Sequence, residues 1–374
     1  MKVCMHKIGG IALKRKCKNV DITDYDFILQ AINDCLRNKR KNRNDILRIR
    51  KEIGTNEEIA KVLQREIVDG KLELKPIWYR EKFDDNSQKW RKIGIQDIKQ
   101  QMYDYIAVNG LAELERSIGH YQCASVKGRG QIYCAKAIAS HIKDKSVKYY
   151  CKMDIRKYYE SIPRDKLMDW LRKRVKNDKL LWLVETMLDT FEYGLSIGSY
   201  LSQHLGNLYL SDIYHELEAL SKTRRGKRIK TVSFQAFYMD DILITGTNSR
   251  ELVKAANLIV DRCKEKGLEI KPTWSCQKID GSFIDMAGYR IYRDHMTVRR
   301  GTMKKIRRTF VRYDTKNKSK TRARRVISHY GIVKHADSYK FCHKYDIYEK
   351  LKSAKEVVSG EKKKNRRRRK KRKS

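Results

Sequence analysis

Residues 231–246 read TVSFQAFYMDDILITG. Two apolar, β-rich runs, Thr231–Phe237 and Ile242–Thr245, flank Asp240 and Asp241, with no Asn-Gly or Gly-Gly turn between them. An unneutralised carboxylate pair in an apolar hairpin is costly in desolvation and mutual repulsion. A divalent cation is the natural compensation. The plainer alternative is an ordinary surface turn that happens to carry two aspartates.

A second carboxylate is similarly set. VKYYCKMDIRKYYESI, residues 147–162, reads as a strand with Asp154 near its carboxyl end. On a neighbouring strand it would complete an all-oxygen site suited to Mg²⁺, which takes one or two carboxylates plus substrate phosphates. Two such ions about 4 Å apart can activate a 3′-hydroxyl and stabilise a leaving pyrophosphate. Alone, Asp154 reads equally well as a strand-end aspartate in a salt bridge. Downstream, Ser249 can cap a helix whose apolar residues Leu252, Val253, Ala256, Ile259, Val260 and Cys263 recur at helical spacing. Gly267 stops it, and Leu268–Ile270 opens another strand. With a further β-type run at Leu72–Ile77, the pattern is α+β, a sheet with helices packed on one face.

The composition points to a polyanionic partner. Lys and Arg number 86 against 45 Asp and Glu, a formal charge of +41. Self-repulsion on that scale is relieved by nucleic acid, where each contacted phosphate releases counterions. Residues 22–68 read as helical with one basic face, the chain becomes helical and basic again after about 300, and KKKNRRRRKKRKS at the end reads as a disordered tail. Nine cysteines form no CxxC pair, so neither a zinc site nor a disulfide scaffold is indicated. The apolar runs fall short of the roughly 18 residues a membrane helix needs. MKVCMHKIGGIALKRK has no uninterrupted apolar core, so it does not read as a signal peptide, and the cytoplasm is the expected location.

At this point the residues match a family. YMDD at 238–241 resembles the signature hairpin of reverse transcriptases, and KMDIRKYYESI at 152–162 resembles their first catalytic block. GLSIGSYLSQHLGNLYL at 194–210 is similar to the block between them, and order and spacing agree over roughly residues 75–310. The resemblance implies a right-hand polymerase with an antiparallel-sheet palm. Its segments would be a basic amino-terminal helical region at 1–74, fingers at 75–145, a palm at 146–299 with a fingers insertion about 165–198, a thumb at 300–350 and a basic tail at 351–374. It further implies that Asp154 and Asp240, with the Ile155 backbone and the support of Asp241, hold two Mg²⁺ ions. Tyr159 falls where the family keeps an aromatic that blocks a ribose 2′-OH, although a core tyrosine in a Tyr-Tyr pair is the plainer reading. Ile197 and Gly198 would border the nucleotide, glycine allowing a close backbone approach. Ser202, Gln203 and Asn207 would lie near the template or pack the palm. Arg91, in KWRKIGIQDIKQQ at 89–101, would hold the triphosphate with its planar fork. Lys127 and Arg129 in ASVKGRGQIYCAKAI would contact phosphates, Tyr238 and Met239 the nucleic acid, and Lys271 in GLEIKPTW would protonate pyrophosphate. FIDMAGYRIYRDHMTVRRGTMKKIRR at 283–308 resembles the primer-grip strands leading into the thumb.

The middle block departs from the common pattern. Retroviral and group II intron enzymes usually carry Gln-Gly followed by Ser-Pro, where this chain has Ile197-Gly198 and Ser202-Gln203. That arrangement is similar to diversity-generating retroelement enzymes, which copy a template RNA with errors at adenines and work with a small accessory subunit. Template RNA, a cDNA or primer strand and dNTPs are the partners this implies, with no membrane. A phage-defence reverse transcriptase is the runner-up. A basic RNA-binding protein with a degenerate polymerase fold is the reading from another class; it expects a missing carboxylate, and all three are present.

Overall fold

The computed structural model describes residues 14–84, 89–315 and 319–371. Most of the amino-terminal segment weighed above as a signal peptide, and the last three residues of the basic end, lie outside that range. The chain divides into two compact units, one of residues 1–130 and 150–276, the other of 131–149 and 277–374.

The first unit opens with three helices, α1 (Tyr25–Leu36), α2 (Asn44–Glu52) and α3 (Asn56–Asp69). Asp24 caps α1 by accepting from Phe27 N–H, and Thr55 with Glu58 forms a capping box on α3. Ile28, Ala31, Ile32 and Cys35 recur at helical spacing, so α1 buries one face against α3 and α4 (Ile98–Gly110). Between α3 and α4 stands an antiparallel hairpin of β1 (Trp78–Asp84) and β2 (Lys89–Ile95). The strand expected at Leu72–Ile77 is not there. Pro76 has no N–H for a ladder, and regular pairing starts two residues beyond it.

After α4 come α5 (Ala112–Glu115) and the short strand β3 (Gln122–Cys123). The chain supplies α6 (Gln131–His141) to the second unit, then returns through β4 (Tyr149–Asp154). Helices α7 (Tyr158–Ser161), α8 (Arg164–Arg172), α9 (Asp178–Asp189), α10 (Tyr200–Tyr209) and α11 (Ser211–Ala219) follow. A small hairpin, β5 (Ser221–Arg224) with β6 (Lys227–Lys230), leads to β7 (Phe234–Tyr238), β8 (Asp241–Gly246) and α12 (Ser249–Glu265). The main sheet runs β3–β7–β8–β4, and β9 (Cys276–Lys278) follows α12 in the chain. Helices α11 and α12 pack against β7 and β8, which buries Tyr214, Leu217, Phe237, Leu252, Ala256 and Ile259.

Three expectations need correction here. The sheet is not wholly antiparallel, because β3 pairs with β7 in parallel. Asn248, not Ser249, caps α12, its side chain accepting from Glu251 N–H. Either residue type serves as a cap, so composition could not decide between neighbours. Gly267 does end the helix, at φ 78°, but Leu268–Ile270 contributes only a single antiparallel bridge, Ile155 with Ile270.

In the second unit, β10 (Ile284–Met286), β11 (Tyr289–Ile291) and β12 (Met296–Val298) form a three-stranded antiparallel sheet against α6. Helices α13 (Arg300–Val311), α14 (Lys320–Val333), α15 (Tyr339–Lys344) and α16 (Ile347–Lys371) follow. The carboxyl end expected to be disordered is instead the continuation of α16. Ile347, Leu351 and Ala354 are buried at four- and three-residue spacing on the helix that packs against α14, and the straight-chain Lys, Arg and Glu that follow favour helix. No helix among the described residues is long and apolar enough to cross a membrane.

Candidate active site

The β7–β8 hairpin pairs Tyr238 with Asp241, leaving Met239 and Asp240 as a two-residue turn. Met239 takes the positive φ, 55°, that a glycine or asparagine would ordinarily supply. A methionine held there is uncommon and costs local strain, which the buried hairpin on either side imposes. The result is that Asp240 is fixed at the tip of a rigid sheet.

β4 brings the third carboxylate. Ile155 N–H donates to Asp240 O at 3.1 Å, and Lys271 N–H donates to Asp154 O at 2.9 Å. The end of β4 is therefore stitched to the hairpin turn on one side and to residues 269–271 on the other. Burial, then Asp241, then Asp154 push the Asp240 carboxyl up to about 6, with Lys271 pulling the other way. This mutual repulsion is the electrostatic sign that the three side chains converge. Two lysines answer it: Lys271 is ion-paired with Asp154 Oδ1, and Lys152 Nζ lies 2.9 Å from Asp241 Oδ1. Three carboxylates face two ammoniums, which leaves one negative charge on the cluster.

The donor set suits a hard cation. All three groups are carboxylates, and the buried Asp154 Oδ1 atom has its charge met by the Lys271 ammonium. Among the described residues no three acidic, His or Cys side chains stand in metal-binding geometry, and two of the three carboxylates are ion-paired with lysines. Lys152 was not anticipated from sequence. It lies two residues before Asp154 on one strand, so it shares that face.

Beside the cluster, the Tyr-Tyr pair divides its roles. Tyr158 is core, its hydroxyl donating to Gly206 O at 2.5 Å. Tyr159 is half-buried and turns toward the hairpin, its hydroxyl 3.6 Å from Met239 Sδ, and burial, Asp240 and Tyr238 raise its pKa. Its carbonyl accepts from Leu195 N–H at 2.7 Å, which ties α7 to the loop before α10. That loop carries Ile197 and Gly198. Ile197 O accepts from Gly94 N–H at 3.0 Å, and Gly198, at φ 124°, lies so close that a Cβ there would stand 2.5 Å from Gly94 O. Tyr159, the Ile197–Gly198 turn and β2 are thus contiguous.

The remaining predicted residues are spread more widely. Ser202 is fully buried and accepts from Ser196 N–H at 3.2 Å, so it packs the loop from beneath. Gln203 Oε1 accepts from Ser125 Oγ at 2.9 Å, and Asn207 Nδ2 donates to Ala124 O at 2.6 Å. Both brace a turn in which Ala124 and Ser125 have positive φ. The hydrogen bonds of all three are made to neighbouring loops of the first unit. In that turn Lys127 is exposed, while the Arg129 guanidinium donates to Gly119 O at 2.7 Å. Arg91 lies on the β1–β2 hairpin, 3.0 Å from Asp84. Asp104, at the centre of α4, was missed altogether; its only signal was a charge inside the apolar run MYDYIAV.

A family model described as "Reverse transcriptase (RNA-dependent DNA polymerase)" matches residues 81–290. No curated protein matches the chain.

Proposed function

The chain belongs to the reverse transcriptase family and is an RNA-directed DNA polymerase, and from that premise we propose that Asp154, Asp240 and Asp241 are its catalytic carboxylates. The observation that carries this is geometric: inside the matched region, Ile155 N–H donates to Asp240 O at 3.1 Å, which sets the end of the Asp154 strand against the turn that carries Asp240 and Asp241. In this reading Asp154 and Asp240, with the Ile155 backbone, hold two Mg²⁺ ions, and Asp241 supports them. Ions bound there would activate the primer 3′-hydroxyl and neutralise charge on the departing pyrophosphate. The protein's own part is orientation. The hydrogen bond from Ile155 N–H to Asp240 O holds the end of the Asp154 strand at the turn, and Tyr159 would exclude a 2′-hydroxyl beside Met239. Lys271, whose ammonium already lies beside Asp154, gives a proton to the pyrophosphate.

The segments would serve as a basic amino-terminal region at 1–74, fingers at 75–145, palm at 146–299 with a fingers insertion about 165–198, thumb at 300–350 and a basic end at 351–374. Arg91, Ile197 and Gly198 would meet the nucleotide, and Lys127, Arg129, Tyr238 and Met239 the nucleic acid. Ser202, Gln203 and Asn207 would act behind them through the loops they brace. The purified chain with an RNA template, a primer, dNTPs and Mg²⁺ is expected to extend the primer and to reject ribonucleotides, with extension lost in Asp154→Asn. Extension by that variant at the wild-type rate removes the mechanism.

We further propose the error-prone enzyme of a diversity-generating retroelement, with a small accessory protein as partner. Ile197 supports this reading. An aliphatic side chain at the nucleotide offers no hydrogen bond with which to check base-pair geometry, so mismatches are rejected less. Ile197→Gln is expected to lower misincorporation opposite template adenine several-fold, and sequencing of cDNA made on a defined RNA would measure it. An unchanged error spectrum would refute this role for Ile197.

A further inference from the structure

Asp104 is the one fully buried carboxylate among the described residues that no cation meets. It sits in the middle of α4, and its partners are neutral. Oδ2 accepts from Ser199 Oγ at 2.8 Å, Tyr200 N–H at 3.0 Å and Leu201 N–H at 3.3 Å, while Oδ1 accepts from Gln96 Nε2 at 3.1 Å. The donors from residues 199–201 are the first turn of α10, so Asp104 caps that helix from another element. Cys35 of α1 and Tyr105 of α4 lie near enough to feel its charge.

A buried carboxylate without a counter-cation is costly for stability alone, and an apolar side chain at that point of α4 would pack with less penalty. What the charge accomplishes is positional. The turn that Asp104 anchors begins immediately after Gly198, and Ser199 is shared between them, its hydroxyl also accepting from Ser202 N–H at 3.1 Å. On the other flank, Ser196 N–H is held by Ser202 Oγ. Ile197 and Gly198 therefore bridge two fixed points, with Gly94 of β2 across from them. The Ser196 and Gln96 side-chain oxygens are themselves buried without hydrogen-bond partners.

We propose that Asp104 is a positioning residue for nucleotide binding, fixing the Ile197–Gly198 turn through the first turn of α10. This rests on the reading above that the Ile197–Gly198 turn borders the incoming nucleotide. It makes a specific demand on kinetics. A residue that only stabilised the fold would lower the melting temperature and leave the KM for dNTP unchanged in the folded fraction. A positioning residue raises KM while the carboxylate cluster, on separate strands, keeps its kcat.

The test uses the full chain, an RNA template-primer and Mg²⁺, with dNTP titrations and thermal melts in parallel. Asp104→Asn keeps the shape and removes the charge, and it is expected to raise the KM for dNTP about tenfold with kcat within about twofold of wild type. Ser199→Ala removes one of the four contacts and should raise KM about threefold. The double variant should raise KM by less than the product of the two single effects, because both act in large part through one link. A lowered melting temperature with wild-type KM in both single variants would overturn the proposal. Should Asp104→Asn not fold, Ser199→Ala decides alone, an unchanged KM counting against the proposal. A wild-type chain that extends no primer overturns the nucleotide-site reading and this inference with it.

Discussion

Asp240→Asn is expected to lower nucleotide incorporation about a thousandfold and, at the same time, to make the metal-free protein more stable. The first effect follows from the position of Asp240 at the hairpin tip, where it would share the ions with Asp154. Losing a ligand that acts on developing charge costs roughly 4 kcal/mol of transition-state stabilisation, or about three decades in rate. The second effect follows from the repulsion already visible in the fold. Burial, Asp241 and Asp154 raise the Asp240 carboxyl from 3.8 to about 6, so the folded chain prefers it protonated. For an acid raised in this way, the stabilisation is complete below the unfolded value and is lost as pH climbs through the folded one. Above pH 7 the charged Asp240 should therefore cost on the order of 2–3 kcal/mol that an amide does not. Melting curves in chelator should show the variant more stable than wild type at pH 8 and nearly equal to it at pH 4. Mg²⁺ should raise the wild-type melting temperature and barely move that of the variant. A variant that is less stable at pH 8, or one that Mg²⁺ stabilises as much as wild type, would contradict convergence of the three carboxylates.

The features that were legible beforehand share one physical property: their signal is local. An apolar run broken by two aspartates folds back on itself near them, and the hairpin turns at Met239-Asp240 although Met239 must take a positive φ to do so. The amphipathic helix ending at Gly267 and the strand carrying Asp154 are equally self-contained. What was misread depends on distant partners. Leu268–Ile270 has strand composition but finds only one bridging partner at Ile155, so it forms no ladder. Gln122–Cys123 pairs in parallel with β7 because of where the chain returns, which no local pattern encodes. The carboxyl end became helical because Ile347, Leu351 and Ala354 anchor it, and its charge density drew attention away from those three residues. Within the candidate site the same division holds. The aspartates stood out by being acidic among apolar residues. Asp104 stood out in the same way and was passed over, since its meaning lies in a helix end almost a hundred residues away. Lys152 and Lys271 drew no pairing expectation because lysines abound in a chain with 86 Lys and Arg, and only geometry singles out the two that meet carboxylates.

Gly198→Ala should produce the other large effect, a loss of both stability and nucleotide affinity, and a second glycine supplies its control. At φ 124° Gly198 sits in backbone space that an L residue adopts only with strain, about 1–3 kcal/mol. It also faces Gly94 O so closely that a Cβ would stand 2.5 Å away, against a backbone atom that cannot rotate aside. The alanine variant must therefore push the turn away from β2 and stretch the hydrogen bond from Gly94 N–H to Ile197 O. Gly128 has φ 80° and nothing within 4 Å of its would-be Cβ, so Gly128→Ala carries the conformational cost without the collision. Both variants should melt earlier than wild type, Gly198→Ala by more. Only Gly198→Ala should raise the KM for dNTP, by about tenfold or more, because only there does the added methyl move the surface proposed to meet the nucleotide. Equal KM values in the two variants would mean that the close approach of the loop to β2 serves packing alone. A rise confined to Gly198→Ala would tie nucleotide affinity to one backbone contact between β2 and the turn before α10, which is the contact that Asp104 is argued to hold in place.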